Sequence, residues 1–131
     1  MYLLDTNICI FLKIKKSPNV LQKIKKNKHL GIYISSITVA ELQFGVYNSK
    51  YMERNRIALI KFLTPFSVLN FDDRDAEEFG KIRTSLKNEG KIIGAYDMLI
   101  AAQALAKNLI LVTDNTKEFC RIKTLTIEDW K

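Results

Sequence analysis

Histidine is almost missing from this chain. His29 is the only one, and it lies in the polar run Lys26-Asn27-Lys28-His29, where a surface residue is expected. Cysteine is nearly as scarce, with Cys9 and Cys120 alone, so neither a disulfide framework nor a Cys/His metal spacing is available. Cys9 stands among Ile8, Ile10 and Phe11 and reads as a buried thiol. Two prolines and five glycines leave no room for a low-complexity linker, and no internal repeat is visible. The longest apolar run, 98–106, is interrupted by Gln103 and is too short to span a bilayer. Met1-Tyr2-Leu3-Leu4-Asp5 has no basic region ahead of its apolar residues, so no signal peptide is expected and the cytoplasm is the expected compartment.

Acid is absent from one long stretch. Residues 6–40 hold no Asp or Glu but seven lysines: Lys13, Lys15, Lys16, Lys23, Lys25, Lys26 and Lys28. Setting those seven apart leaves 14 basic residues against 14 acids, so the net charge of +7 resides in this segment. A local excess of that kind suits a polyanion such as nucleic acid, and these lysines are candidate backbone contacts. The plainer alternative is a solvated helix face. The remaining composition, 131 residues of which 47% are hydrophobic and 27% charged, predicts one domain over 1–131 with a single core.

The hydrophobic pattern alternates strands with helices. Residues 1–4 read as a buried strand ending at Asp5, and 8–12 as a short helix. Pro18 opens a second helix whose apolar side is Val20, Leu21 and Ile24. Ile32-Tyr33-Ile34 is a second strand, and Ser35 or Ser36 caps a helix over 37–47. Another helix is expected over 51–63, with Ile57, Ile60 and Leu63 on its core face. Residues 66–71 suggest a strand. Asp72 or Asp73 begins a long helix with Ala76, Phe79, Ile82 and Leu86 inward, closed by Gly90. Residues 95–106 form an apolar, central helix, 109–112 a buried strand and 125–127 an edge strand. This order predicts a mainly parallel sheet with helices on both faces, a class whose working site lies beyond the carboxyl ends of its strands.

Four acids fall where that rule looks. Asp5 follows the first strand, Asp114 the 109–112 strand, Asp97 starts the apolar helix, and Glu41 lies among apolar neighbours. Each has a modest structural alternative. Asp5 could cap a helix, Asp97 could favour a helix dipole, Thr38-x-x-Glu41 could be a capping box, and Asp114-Asn115 could be a turn. Together they are costly unless a cation lies between them, and no basic residue is close in sequence to Asp5, Glu41 or Asp97. Oxygen ligands without His or Cys favour Mg²⁺ or Mn²⁺. Thr6, Asn7, Thr113 and Asn115 are candidates to position water or phosphate oxygens. An Asp-x-Asp phosphatase would need an acid at Asn7, and a non-catalytic binding module would not need Asp97.

Leu4-Asp5-Thr6-Asn7, the run from Ser36 through Thr38 and Glu41 to Gly45, Gly94-Ala95-Tyr96-Asp97-Met98, and Val112-Thr113-Asp114-Asn115-Thr116-Lys117-Glu118-Phe119 together resemble the PIN domain. The resemblance is closest to the VapC toxins of bacterial type II toxin–antitoxin modules. It implies a three-layer α/β/α sandwich and a Mg²⁺-dependent endoribonuclease with Asp5, Glu41 and Asp97 as its acidic core. Asp114 matches a fourth, less uniform position. The closing Glu128-Asp129-Trp130 is similar to members that cut the anticodon loop of initiator tRNA. The resemblance also implies a homodimer and a VapB-type antitoxin, through which alone DNA would be bound. Tyr47, Tyr51, Met52 and Phe62 offer either a surface for these partners or plain core.

Overall fold

The computed structural model describes residues 1–15 and 17–131, the Lys15 side chain excepted. Five strands form one sheet in the order β3-β2-β1-β4-β5, every neighbouring pair parallel. They are β1 (Tyr2–Leu4), β2 (Ile32–Ser35), β3 (Ser67–Leu69), β4 (Ile110–Val112) and β5 (Ile127–Glu128). The helices among the described residues are α1 (Thr6–Lys15), α2 (Pro18–Asn27), α3 (Ser36–Tyr47), α4 (Met52–Leu63), α5 (Asp73–Asn88), α6 (Ala95–Ala106) and α7 (Thr116–Phe119).

Alternate strand residues feed two cores, because successive side chains point to opposite faces. Leu3 and Leu111 pack with Ile82 and Leu86 of α5, the apolar side of α6, and Phe119 of α7. Tyr2, Leu4, Ile32, Ile34 and Val112 pack on the other face with Ile8 and Leu12 of α1, Val20 of α2, Leu42 of α3 and Leu59 of α4. Burial on both sides explains why β1 reads as an unbroken apolar run. The result is the α/β/α sandwich anticipated from the sequence, with an all-parallel sheet. No helix among the described residues is long and apolar enough to cross a membrane.

Several details differ from the sequence pattern. On α4, Ile57 and Ile60 face outward, 44% and 53% exposed, while Leu59 is buried with Phe62 and Leu63 packed near it. The helix carries two apolar stripes, and the core takes the one whose Phe62 also meets Phe66, with ring centroids 5.6 Å apart. On α5, Ala76 is exposed and the buried position is Asp75. The last strand pairs through Ile127 and Glu128 rather than 125–127, α1 begins at Thr6 rather than residue 8, and the short α7 has no sequence counterpart.

Asp75 has two tasks. It closes a capping box with Asp72 at the start of α5, and it accepts from Lys107 Nζ at 2.8 Å; Asp72 accepts from the same ammonium at 2.6 Å. Lys107 ends α6, so this cation joins the two helices. Lys107→Met leaves Asp75 buried without its cation and is expected to cost roughly 2 kcal/mol. A urea midpoint unchanged from wild type would refute that.

Candidate active site

The chain runs outward from β1 through β2 to β3, then returns to lay β4 on the other side of β1. The strand order therefore reverses between β1 and β4, and their carboxyl ends are where open α/β sheets place a ligand crevice. Asp5 leaves β1 there, its N–H held by the Val112 carbonyl at 2.9 Å. Its side chain is 1% exposed and fixed on both oxygens. Oδ1 accepts from the Thr6 N–H at 2.8 Å, and Oδ2 accepts from Thr113 Oγ1 at 2.9 Å. Thr113 Oγ1 in turn accepts from the Asn115 N–H at 3.0 Å. The position also starts α1, since the Asp5 carbonyl receives the Cys9 N–H. The capping alternative and the site reading thus share one residue.

Ser35 caps α3 by accepting from the Ile37 N–H, which sets Thr38 and Glu41 inside that helix on the side facing α1. They do not form a capping box. Thr6 Oγ1 lies 2.8 Å from Glu41 Oε1 and 2.9 Å from Thr38 Oγ1. An ionised carboxylate only accepts, so the Thr6 hydroxyl donates to Glu41 and receives the Thr38 hydroxyl. A three-member chain of side chains thus ties α1 to α3 and aims Glu41 beside Asp5. Asp97 enters from the first turn of α6, where the helix dipole favours a negative charge.

The charges of these acids reach one another. Burial pushes the Asp5 carboxyl from its ordinary 3.8 up to about 6; the Thr113 and Thr6 hydrogen bonds pull it back, while Asp97 and Glu41 push it further up. Burial also raises Asp97, and the negative charges of Glu118 and Glu41 raise it more. Asp5, Glu41 and Asp97 have no ion pair among the described residues. Burial likewise drives the Cys9 thiol far up, as expected of an inert core thiol.

Asp114 stands apart from this trio. Its Oδ2 is 2.8 Å from Lys131 Nζ, and the same ammonium lies 4.1 Å over the Phe11 ring. Of the two acids that press on Asp97, the one with the larger effect is Glu118 of α7, a residue outside the four acids that the sequence points to. Asn115 Nδ2 donates to Glu118 Oε2 at 3.3 Å, so Asn115 bridges the Thr113 network to that acid. The available signal was Glu118 lying four residues past Asp114 within the fourth motif. Asn7 is exposed on α1 and makes no side-chain hydrogen bond among the described residues. Lys16 and the Lys15 side chain lie outside the described residues.

The donor set fits a hard divalent cation. It offers carboxylate oxygens, mutual repulsion and no protein cation on the three central acids. As placed, no three His, Cys, Asp or Glu side chains among the described residues form a group that would hold a metal ion by themselves. An open carboxylate edge suits a cation that keeps several waters and shares substrate phosphates.

Comparison with known proteins identifies the family of the chain. The PIN domain family matches residues 2–125. Ribonuclease VapC2 of Rickettsia felis is 44% identical over 134 aligned positions, spanning 99% of this chain and 98% of the relative. A Shigella flexneri protein named tRNA(fMet)-specific endonuclease VapC is 39% identical, spanning 98% and 97%. The solved VapBC2 of Rickettsia felis, bound to a promoter DNA fragment, gives a TM-score of 0.94 at 40% identity over 99% of this chain and 98% of that chain. PIN-domain nucleases of the VapC type are generally dependent on divalent metal. The chain belongs to the PIN-domain family and, within it, to the VapC ribonucleases.

Proposed function

We propose that this chain, as one PIN domain over 1–131, is the toxin of a type II toxin–antitoxin pair and a Mg²⁺-dependent endoribonuclease acting on tRNA. The observation that carries the reading is the trio Asp5, Glu41 and Asp97 at the β1–β4 crevice, each without a protein counter-ion among the described residues. Asp5, Glu41 and Asp97 would hold the ion, with Asp114 and Glu118 at its margin. When bound, Mg²⁺ supplies a Lewis acid for the phosphate and lowers the pKa of the attacking water. Asp5 holds one face of the site through a carboxylate locked by Thr6 and Thr113. Glu41 is aimed by the Thr6 hydroxyl. The less buried Asp97 is free to accept the proton that water gives up.

The substrate class follows the Shigella flexneri relative, whose name specifies initiator tRNA. The partner follows the Rickettsia felis complex, so a VapB-type antitoxin is expected here, with DNA contacted through it. Phe62 packs against the core, but Phe44, Tyr47, Tyr51 and Met52 are exposed by 70%, 62%, 59% and 44%, which removes the plain-core alternative for these four. They are a surface for the antitoxin or a second copy.

Water attack that breaks the bond from phosphorus to the 3′-oxygen leaves a 5′-phosphate and a 3′-hydroxyl. Purified protein with bulk tRNA and Mg²⁺ is expected to produce those ends, to stop with EDTA, and to resume when Mg²⁺ is restored. A 2′,3′-cyclic phosphate, or cutting that continues in EDTA, would refute the mechanism.

A further inference from the structure

The basic segment divides across two sides of α2. Asn19, Gln22, Lys23 and Lys26 follow the i, i+3, i+4, i+7 spacing of one helix face. All four line a cleft of about 340 Å³ whose other wall is residues 129–131. Lys25 and Lys28 lie elsewhere. With Lys61 they border a separate, largely apolar groove that includes Gly31, Ile32, Pro65 and Phe66. Those four residues lead into β2 and β3, so that groove lies at the amino ends of the strands, opposite the edge that carries the acids.

The cleft instead leads toward them. Lys131 lines it, and the Lys131 ammonium reaches Asp114, one residue beyond the Thr113 that holds Asp5. The wall is rigid. Trp130 is 2% exposed, its ring meets Tyr2 edge-on at 5.0 Å, and its N–H donates to Glu128. A ring so buried offers no face for stacking on a base. What the cleft presents is charge: Lys23, Lys26 and Lys131 against Asp129, one oxygen of which already accepts the Lys131 N–H. Two ammonium groups with no ion pair among the described residues, and a third already on Asp114, without an open aromatic surface, match a phosphodiester backbone rather than bases.

We propose that this cleft is the track by which the RNA backbone reaches the carboxylate site. Lys23 and Lys26 contact phosphates away from the cut, Lys131 contacts the phosphate nearest it, and Lys25 and Lys28 take no part. The proposal rests on the nuclease reading above.

Two double variants test it, K23Q/K26Q and K25Q/K28Q. Both remove two exposed positive charges, so any effect of overall charge is equal in the two. Cleavage of tRNA is measured in the otherwise wild-type chain, and affinity for labelled tRNA against salt in the Asp97→Asn background. K23Q/K26Q is expected to raise KM about tenfold with kcat nearly unchanged, and to flatten the log–log salt slope by about 1.5, the share of two phosphate contacts. K25Q/K28Q is expected to change KM by less than about twofold, with its slope retained. Equal effects in the two pairs, or a larger effect in the second, would overturn the track while wild-type cleavage leaves the nuclease reading standing. Wild-type protein that neither binds nor cuts tRNA would overturn both.

Discussion

Asp97→Asn is expected to lower tRNA cleavage by about 10³-fold or more while leaving RNA affinity within about twofold. The side chain sits on the first turn of α6, half-buried, with Glu41 and Glu118 close enough for their charges to raise its pKa. Asn keeps its size and its place at the helix start but removes the one feature the proposed site needs there, a negative charge. Folding should not suffer, because the change relieves repulsion rather than breaking an ion pair. Thermal melting should therefore remain at or above the wild-type temperature, which separates lost chemistry from lost structure. The rival reading of a non-catalytic binding module forecasts RNA binding without metal-dependent cleavage by either protein, since such a module has no use for the Asp97 charge. Cleavage by the variant at more than a tenth of the wild-type rate, still present in EDTA, would refute the metal-dependent mechanism.

How much of this was legible in the sequence depends on the range of the interaction. Asp5 and Asp114 could be placed at strand ends because short apolar runs lead directly into them, and the alternation of elements gave the parallel sheet. Glu41 and Asp97 announced themselves as acids in apolar company. What could not be read was pairing across distance. Thr6 reaches Thr38 and Glu41, 32 and 35 residues away, and Thr113 reaches Asp5 across 108. No local pattern encodes which hydroxyl meets which carboxylate. The same limit hid Lys131, which engages Asp114 although 17 residues separate them, and so left Asp114 in a set where Glu118 now stands nearer Asp97. It also hid the division of the lysines. Counting charge located the basic segment, but only the packing of residues 129–131 against α2 separates Lys23 and Lys26 from Lys25 and Lys28. On α4 the error was of another kind. Two apolar stripes were present, and periodicity cannot choose between them without knowing what lies opposite.

Asp5→Asn is expected to abolish cleavage and yet stabilise the metal-free protein at pH 7 by about 2–3 kcal/mol. The two outcomes share one cause. Burial, with Asp97 and Glu41 nearby, raises the folded-state carboxyl to about 6, against 3.8 ordinarily, so the folded chain holds this proton more tightly than the unfolded chain does. The sign follows from that difference. Stability from this group is greatest below about pH 3.8, falls as pH rises from 4 to 6, and is constant above. Asn carries no charge at any of these pH values and can still accept the Thr6 N–H. The stability gap between variant and wild type should therefore be near zero around pH 4 and reach its full size above pH 6, with acids remote from this site cancelling in the subtraction. Mg²⁺ should close the gap at pH 7 by binding the folded wild type more tightly than the variant, through the mass-action stabilisation of whichever state holds the ion. Denaturant titrations at pH 4, 5, 6 and 7, with and without Mg²⁺, measure all of this. A variant less stable than wild type at pH 7, or a gap that does not grow with pH, would show that Asp5 is held for the fold. A gap that opens with pH and closes with Mg²⁺ means that its ionised form is kept, against the preference of the fold, for a cation.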